Sequence, residues 1–136
     1  MKSHAQVVIV GGGIMGVSLL YHLTKEGWRD IVLIEKGELT SGSTWHAAGQ
    51  CPHFVGSYNA AKIHNYSNRL YQDLEKETGQ STGWHGCGSL RLALKEEDVN
   101  WFHYVKGILD NVGSPAEFVP KDKILDLHPF LKIEDV

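Results

Sequence analysis

Three glycines near the N-terminus have the spacing of a loop that binds a dinucleotide. Gly11 permits a tight turn, Gly13 lets the backbone approach a pyrophosphate, and Gly16 lets a helix pack close to a strand. The first N–H groups of that helix would face negatively charged oxygen. Glu35 lies where a carboxylate can accept hydrogen bonds from adenosine ribose hydroxyls, and its charge would repel a 2′-phosphate. The pattern argues against NADP and does not separate FAD from NAD.

A second stretch that could do chemistry is GSTWHAAG at residues 42–49. Its small residues would let a loop lie close to a cofactor, and it carries one histidine, His46. A neutral imidazole is a competent nucleophile near pH 7. Two simpler interpretations stay open: an ordinary glycine-rich turn with a solvated Glu35, and a loop histidine with no cofactor bond.

Weaker signals lie further along the chain. Cys51-x-His53 and His85-x-Cys87 mirror each other, but one-residue spacing is tighter than structural zinc sites use, so we expect no metal. Arg91 could bind a carboxylate, although a solvated arginine on a strand is the simpler interpretation. We expect the tryptophans at 84 and 101 to pack. The sequence has no Ser-His-Asp order, HExxH or P-loop, which removes hydrolase and kinase chemistry.

Length and composition fit about one domain of a soluble globular protein. The chain has 136 residues, 42% hydrophobic and 21% charged. A net charge of −3 gives no basic field, so nucleic acid is not an expected partner. Two cysteines suit a reducing compartment, and no apolar run reaches the ~18 residues of a membrane helix. A cytoplasmic location is the default, and a mitochondrial matrix protein without its presequence would look the same.

The elements that must position these residues follow from apolar periodicity. Short β-branched runs at 7–10 and 31–34 predict buried parallel strands, joined by a helix that begins near Ile14 and stops at Gly27. Residues 38–54 predict an extended functional loop. The periodicity then predicts a helix over 59–77, an alternating strand over 89–94, a helix over 99–112 and a short helix from Pro120 to Leu127. In the first of these helices, the expected buried face is Ile63, Tyr66, Leu70 and Leu74.

A mononucleotide-binding half needs a third parallel strand, and the residues after Glu35 do not supply one. We therefore expect the N-terminal piece of a longer protein. The expected division is a β-α-β unit with its functional loop over 1–56, followed by helices and a strand over 57–136.

The chain resembles a known family at several of these positions. EKGELTSGSTWHAAG at 35–49 resembles the dimethylglycine and sarcosine dehydrogenase branch of the D-amino-acid-oxidase-like flavoproteins. The resemblance continues through KIHNYSNRLYQDLEKETGQ, GWHGCGSLRLAL and LHPFLKIEDV, and so covers essentially the whole chain. It implies an α/β fold: the N-terminal part of a glutathione-reductase-like, Rossmann-type FAD-binding domain, with the start of a substrate domain.

The same resemblance implies a cofactor site. His46 would carry FAD covalently, through the flavin 8α-methyl group. The other implied contacts to FAD, besides the three glycines of the fingerprint, are Ile14, Met15, Glu35, Lys36, Gly42, Ser43, Thr44, Trp45, Ala47, Ala48 and Gly49.

The implied activity is oxidation of an N-methylated glycine, such as dimethylglycine or sarcosine, by hydride transfer to FAD. Tetrahydrofolate would capture the one-carbon unit, and an electron-transferring flavoprotein would take the electrons. We expect the catalytic residues beyond Val136. Two alternatives remain: an oxygen-using amine oxidase of the same family, and a truncated, inactive dinucleotide-binding fragment.

Overall fold

A computed structural model describes residues 3–136. The chain divides into two compact units, Met1–Gln50 and Cys51–Val136. The first unit holds β1 (Val7–Val10), α1 (Ile14–Lys25) and β2 (Ile31–Ile34). The second holds α2 (Tyr58–Thr78), α3 (Glu96–Val112) and α4 (Lys121–Leu127). The expected boundary after residue 56 stays a prediction, as does the role assigned to each part.

The first unit is the predicted β-α-β unit. β1 and β2 pair in parallel, with Val7 opposite Ile31 and Val10 opposite Ile34. β-Branched side chains favour this pleated geometry, and the helix between the strands provides the crossover that parallel pairing requires. Gly27 adopts φ +90° after the last turn of α1, a conformation that costs glycine little. The two predicted strands, their parallel pairing and the predicted helix are confirmed. The predicted burial of the strands is wrong: Ile9 is buried, whereas Val8 and Val10 are exposed.

Glycine also ends two helices of the second unit. Gly79 after α2 and Gly113 after α3 both adopt φ +71°. Three acidic residues stand in the first turn of α3, where their charge is favourable against the helix dipole. Pro120 precedes α4, as predicted from its fixed φ. All three predicted helices of this unit exist, with bounds that differ by only a few residues.

A small apolar core joins α2 and α3. It is formed by Ala61, Val105 and Leu109, with five partly buried side chains packed around it: Phe54, Val55, Ile108, Val112 and Ala116. Full burial of Val105 and Leu109 stabilises the unit by about 1.5–3 kcal/mol each, because their apolar surface is removed from water. Val105 and Leu109, which lie one helical turn apart on α3, therefore pack together in this core.

The predicted buried face of α2 is wrong at two of its four positions, while Leu70 and Leu74 are partly buried. Ile63 and Tyr66 are 66% and 54% exposed, whereas Ala61, Asn65 and Asn68 are buried. The two amides are buried because each has a specific partner: Asn65 donates to the carbonyl of Val112, and Asn68 bonds to His53. Hydrogen-bonded amides can replace apolar side chains in a helix interface, so apolar periodicity misassigned the face.

The predicted strand over 89–94 is also wrong. Those residues form no strand, and the described chain has one sheet, with the two strands β1 and β2. Alternation of apolar and polar side chains is typical of a strand, but a strand also needs a partner for its backbone hydrogen bonds. None of the described helices is long and apolar enough to span a membrane.

Candidate cofactor-binding site

The turn between β1 and α1 is closed by backbone geometry that only glycine satisfies. Gly11 has φ +104°, and its N–H donates to the carbonyl of Ile34 at 2.8 Å. A Cβ on Gly16 would collide with the carbonyl oxygen of Gly11. The first position therefore needs a left-handed backbone, and the third needs the close approach of helix to strand that the fingerprint predicts.

Glu35 ends β2 beside this turn. Its Oε2 accepts the N–H of Gly12 at 2.6 Å, and its Oε1 accepts the N–H of Gly37 at 2.9 Å. The hydrogen bond from Gly12, followed by that from Gly37, lowers the pKa of the carboxyl group below its usual range, so the side chain is ionised at neutral pH. Each oxygen keeps a further lone pair, which suits a carboxylate that would accept ribose hydroxyls.

The start of α1 can receive an anion. Gly13 precedes the helix with no side-chain cap, and the N–H of Ile14 donates to Thr44 Oγ1 at 2.9 Å. Within residues 3–136, the N–H groups of Gly13, Met15 and Gly16 have no hydrogen-bond partner. Free N–H groups at a helix N-terminus, together with the helix dipole, favour phosphate oxygen.

The segment after β2 returns to this turn. The N–H of Thr40 donates to the carbonyl of Gly12 at 2.9 Å, and residues 39–46 form consecutive turns. The N–H of Trp45 bonds to the carbonyls of Thr40 and Gly42, both at 3.1 Å, and the N–H of His46 bonds to the carbonyl of Ser43 at 3.2 Å. We name residues 40–46 the His46 turn. It lies against the glycine turn within the same unit.

His46 is exposed, and one of its ring nitrogens is already used. Nδ1 lies 3.0 Å from the carbonyl oxygen of Gly42. Because a carbonyl oxygen only accepts, Nδ1 carries the proton, and a neutral ring then has its lone pair on Nε2. In the part of the chain that the structure describes, Nε2 has no partner. The geometry leaves a nucleophilic nitrogen directed away from its own turn.

All the residues predicted to bind the cofactor lie in the first unit. The partly buried ones are Gly11, Gly13, Gly16, Glu35 and Thr44, and the exposed ones are Ile14, Met15, Lys36, Gly42, Ser43, Trp45, His46, Ala47, Ala48 and Gly49. The first group frames the glycine turn. The second group lies along α1's start and the segment after β2.

Sequence reasoning missed two residues of this site. Gly12 is buried and donates to Glu35, and a Cβ there would lie 2.6 Å from Leu39 Cδ2 and 3.0 Å from Glu35 Cβ. Thr40 has φ +65°, rare for a β-branched residue. The triple glycine was a signal for the first, whereas nothing in the sequence pointed to the second.

The weaker candidates lie in the second unit. Cys51 and Cys87 are free thiols, and residues 3–136 contain no group of three His, Cys, Asp or Glu side chains placed to hold a metal. His53 instead bonds to Ser114 Oγ at 3.3 Å and to Asn68 Nδ2 at 3.1 Å. Burial, followed by the charges of His64 and Arg69, lowers its pKa. His53 is therefore a structural histidine.

The remaining side chains that the sequence singled out make ring contacts. The Arg91 guanidinium lies 5.4 Å from the centre of the Phe54 ring, a cation–π contact on an exposed side chain. Trp84 stacks on Tyr71 with 6.2 Å between ring centres, and Trp101 stacks on Tyr104 at 5.3 Å. These contacts agree with packing roles for the two tryptophans.

Comparison with known proteins gives consistent matches. The family described as FAD dependent oxidoreductase matches residues 6–136. Dimethylglycine dehydrogenase from Rattus norvegicus is 47% identical over 135 residues, 99% of this chain and 16% of that protein. The pyruvate dehydrogenase phosphatase regulatory subunit from Mus musculus is 44% identical over 136 residues, 100% of this chain and 16% of that protein. The chain thus spans about a sixth of the length of these relatives.

A solved structure shares the fold. L-Proline dehydrogenase from P. horikoshii superposes with a TM-score of 0.82 and 23% identity, covering 100% of this chain and 36% of that one. The identity is low, so the likeness concerns the fold alone.

Proposed function

The chain belongs to the FAD-dependent oxidoreductase family, as its resemblance predicted, and we propose that it is part of a dehydrogenase that oxidises an N-methylated glycine. One observation carries the proposal. The turn that holds His46 is bonded to the glycine turn and the helix start that would receive the FAD pyrophosphate. A nucleophile and a dinucleotide cradle thus occur together, as a covalently held flavin requires.

The residues of the first unit fit FAD. The pyrophosphate would bind the free N–H groups at the start of α1, and Glu35 would accept the adenosine ribose hydroxyls. The loop residues Gly42, Ser43, Thr44, Trp45, Ala47, Ala48 and Gly49, together with Ile14, Met15 and Lys36, would complete the contacts. Their small or exposed side chains leave room beside the glycine turn.

His46 would hold the flavin covalently through Nε2. The bond from Nδ1–H to the carbonyl of Gly42 fixes the tautomer and turns the nucleophilic nitrogen outward. The attachment would join Nε2 to the flavin 8α carbon in place of one of its C–H bonds. Dissolved oxygen would accept the two electrons and two protons that this bond exchange releases. Attachment would also prevent loss of the cofactor.

FAD, when bound, supplies a two-electron acceptor for a hydride from the N-methyl carbon. The substrate class follows from the rat relative, whose name specifies dimethylglycine. The proposed partners are tetrahydrofolate for the one-carbon unit and an electron-transferring flavoprotein for the electrons. The proposed location is the mitochondrial matrix, because the names of both relatives specify a mitochondrial protein. The residues that contact the amine would lie in the part of the relatives that this chain does not span.

Two other functions compete with this one. An oxygen-using amine oxidase of the same family would use the same cofactor site and differ only in its acceptor. A regulatory protein without turnover is favoured by a specific observation, the 44% identity to a regulatory subunit over the whole chain. A truncated, inactive dinucleotide-binding fragment makes the same prediction of no turnover.

Anaerobic mixing of the purified intact protein with dimethylglycine separates these functions. A dehydrogenase loses the visible absorbance of oxidised flavin without oxygen and recovers it with an artificial acceptor. An oxidase also bleaches but consumes oxygen in air at its turnover rate. A flavin-containing protein that does not bleach with dimethylglycine or sarcosine would contradict the proposed activity and support the regulatory role.

A further inference from the structure

Thr40 occupies a conformation that its side chain disfavours. Its φ of +65° lies in the left-handed region, where the two heavy atoms on a β-branched Cβ crowd the backbone. Among the described residues, it is the one non-glycine with positive φ. A residue persists in such a conformation only where its surroundings hold it there, and these positions cluster at functional sites.

Two backbone hydrogen bonds hold Thr40. Its N–H donates to the carbonyl of Gly12 at 2.9 Å, and its carbonyl accepts the N–H of Trp45 at 3.1 Å. The first bond ties the residue to the glycine turn. The second ties it to the residue that precedes His46. The left-handed backbone of Thr40 thus directs one peptide group toward each of the two turns.

Thr44 makes a second connection between the same two turns. Its Oγ1 accepts the N–H of Ile14, the first residue of α1, at 2.9 Å. A Cβ on Gly13 would lie 3.2 Å from this oxygen, so the absence of a side chain at Gly13 also makes room for the hydroxyl. Thr40 uses its backbone and Thr44 its side chain, and they contact opposite ends of the segment 12–14.

We propose that Thr40 and Thr44 are positioning residues, which hold the His46 turn against the start of α1 before any cofactor arrives. This inference rests on the proposed attachment of flavin at His46. Because the turn is already fixed, no conformational entropy is lost in placing Nε2 when the flavin is attached. Neither threonine exchanges protons or electrons in this role.

The first test needs no flavin. In flavin-free intact protein, Thr44→Val removes the acceptor while keeping the side-chain shape. Amide hydrogen exchange at Trp45, His46 and Ala47 should become faster by roughly tenfold, since one hydrogen bond that holds the turn is lost. The matched control is Thr78→Val, which removes an exposed hydroxyl that accepts the N–H of Gln80 in the second unit. It should leave these three amides unchanged.

The second test follows the attachment rate. With added FAD, Thr44→Val should slow covalent attachment by roughly tenfold, and Thr44→Ser, which restores the acceptor, should recover it. Thr40→Pro removes the N–H and forbids positive φ, so it should slow attachment at least as much. Circular dichroism would verify that this variant folds, and Thr44→Val decides the matter if it does not.

The outcomes separate this inference from the proposed function. If wild-type protein attaches no flavin, the proposed attachment at His46 fails, and the exchange measurement still decides whether the threonines fix the turn. If Thr44→Val exchanges and attaches at wild-type rates, the positioning role is overturned while attachment at His46 stands. Faster exchange with recovery in Thr44→Ser supports the role in either case.

Discussion

His46 and His53 lie seven positions apart in sequence and are used by the structure in opposite ways. His46 is exposed, and only its Nδ1 makes a hydrogen bond, to the carbonyl of Gly42. His53 is partly buried, and both of its ring nitrogens make hydrogen bonds, to Ser114 and Asn68. The first keeps one ring nitrogen available for the proposed attachment, whereas both ring nitrogens of the second have hydrogen-bond partners.

The comparison shows how a reactive histidine can be distinguished from a structural one. Burial, followed by the charges of His64 and Arg69, lowers the pKa of His53 and favours its neutral form. A lowered pKa by itself would suggest that His53 is a nucleophile. Access to a free nitrogen is the feature that decides between them, and only His46 has it. Changes at His46, His53 and Asn68 test this distinction, and a change at Gly16 tests the glycine turn against which the His46 turn lies.

His46→Ala should remove every covalently attached flavin, because it removes the ring nitrogen to which the flavin would be joined. His53→Ala should keep the attached flavin while lowering the free energy of unfolding by about 2 kcal/mol, since two buried polar groups lose a partner. Flavin fluorescence on the acid-denatured polypeptide and urea denaturation provide the two readouts. Covalently attached flavin in His46→Ala would contradict the assignment of the attachment to His46.

Gly16→Ala should lower the free energy of unfolding by about 3 kcal/mol, because the added methyl group meets the carbonyl of Gly11 and the backbone cannot easily yield. Gly107→Ala is the matched control in α3. A Cβ at that position meets nothing within 4 Å, so the change should stabilise the protein by about 0.5–1 kcal/mol. Urea denaturation measures both. Equal effects at the two glycines would contradict the close packing of α1 on β1.

Asn68→Ala should destabilise the protein by about 1–2 kcal/mol, since His53 Nε2 loses its donor inside the protein. Asn68 is 1% exposed and its Oδ1 has no partner among the described residues, so part of the cost of burying the amide is already present. Asn111→Ala is the control: that amide is exposed and bonds only within its helix. A change below about 0.5 kcal/mol is expected there.

The smallest expected effect is on pH dependence. The pKa of His53 is lower in the folded protein than in the unfolded chain, so the unfolded chain binds more protons between the two values. The free energy of unfolding should therefore fall as the pH drops below about 6.5, and level off below the folded pKa. His53→Gln should weaken this dependence between pH 7.5 and 5.5 in urea denaturation. An unchanged slope would show that other groups dominate.

The β-α-β unit was predictable because each of its signals is local. β-Branched runs specify the strands, and glycines at fixed offsets specify the turn between them. The helices of the second unit were predictable for the same reason, through Gly79, Gly113 and Pro120.

The features that escaped prediction depend on partners distant in sequence. Residues 89–94 alternate but find no strand to pair with, and α2 buries Asn65 and Asn68 because Val112 and His53 meet them. At the site, the bond from Gly12 to Glu35 and the left-handed Thr40 arise only when the segment after β2 returns to the glycine turn. A single sequence does not encode such returns in any local pattern.

The most direct test of the central claim is peptide mapping of the purified intact protein. Trypsin should release residues 37–62 as one peptide, which contains both His46 and His53. The account predicts that this peptide carries the FAD mass and that fragmentation places it on His46. Flavin on His53, or an unmodified peptide from a preparation that contains bound FAD, would contradict it.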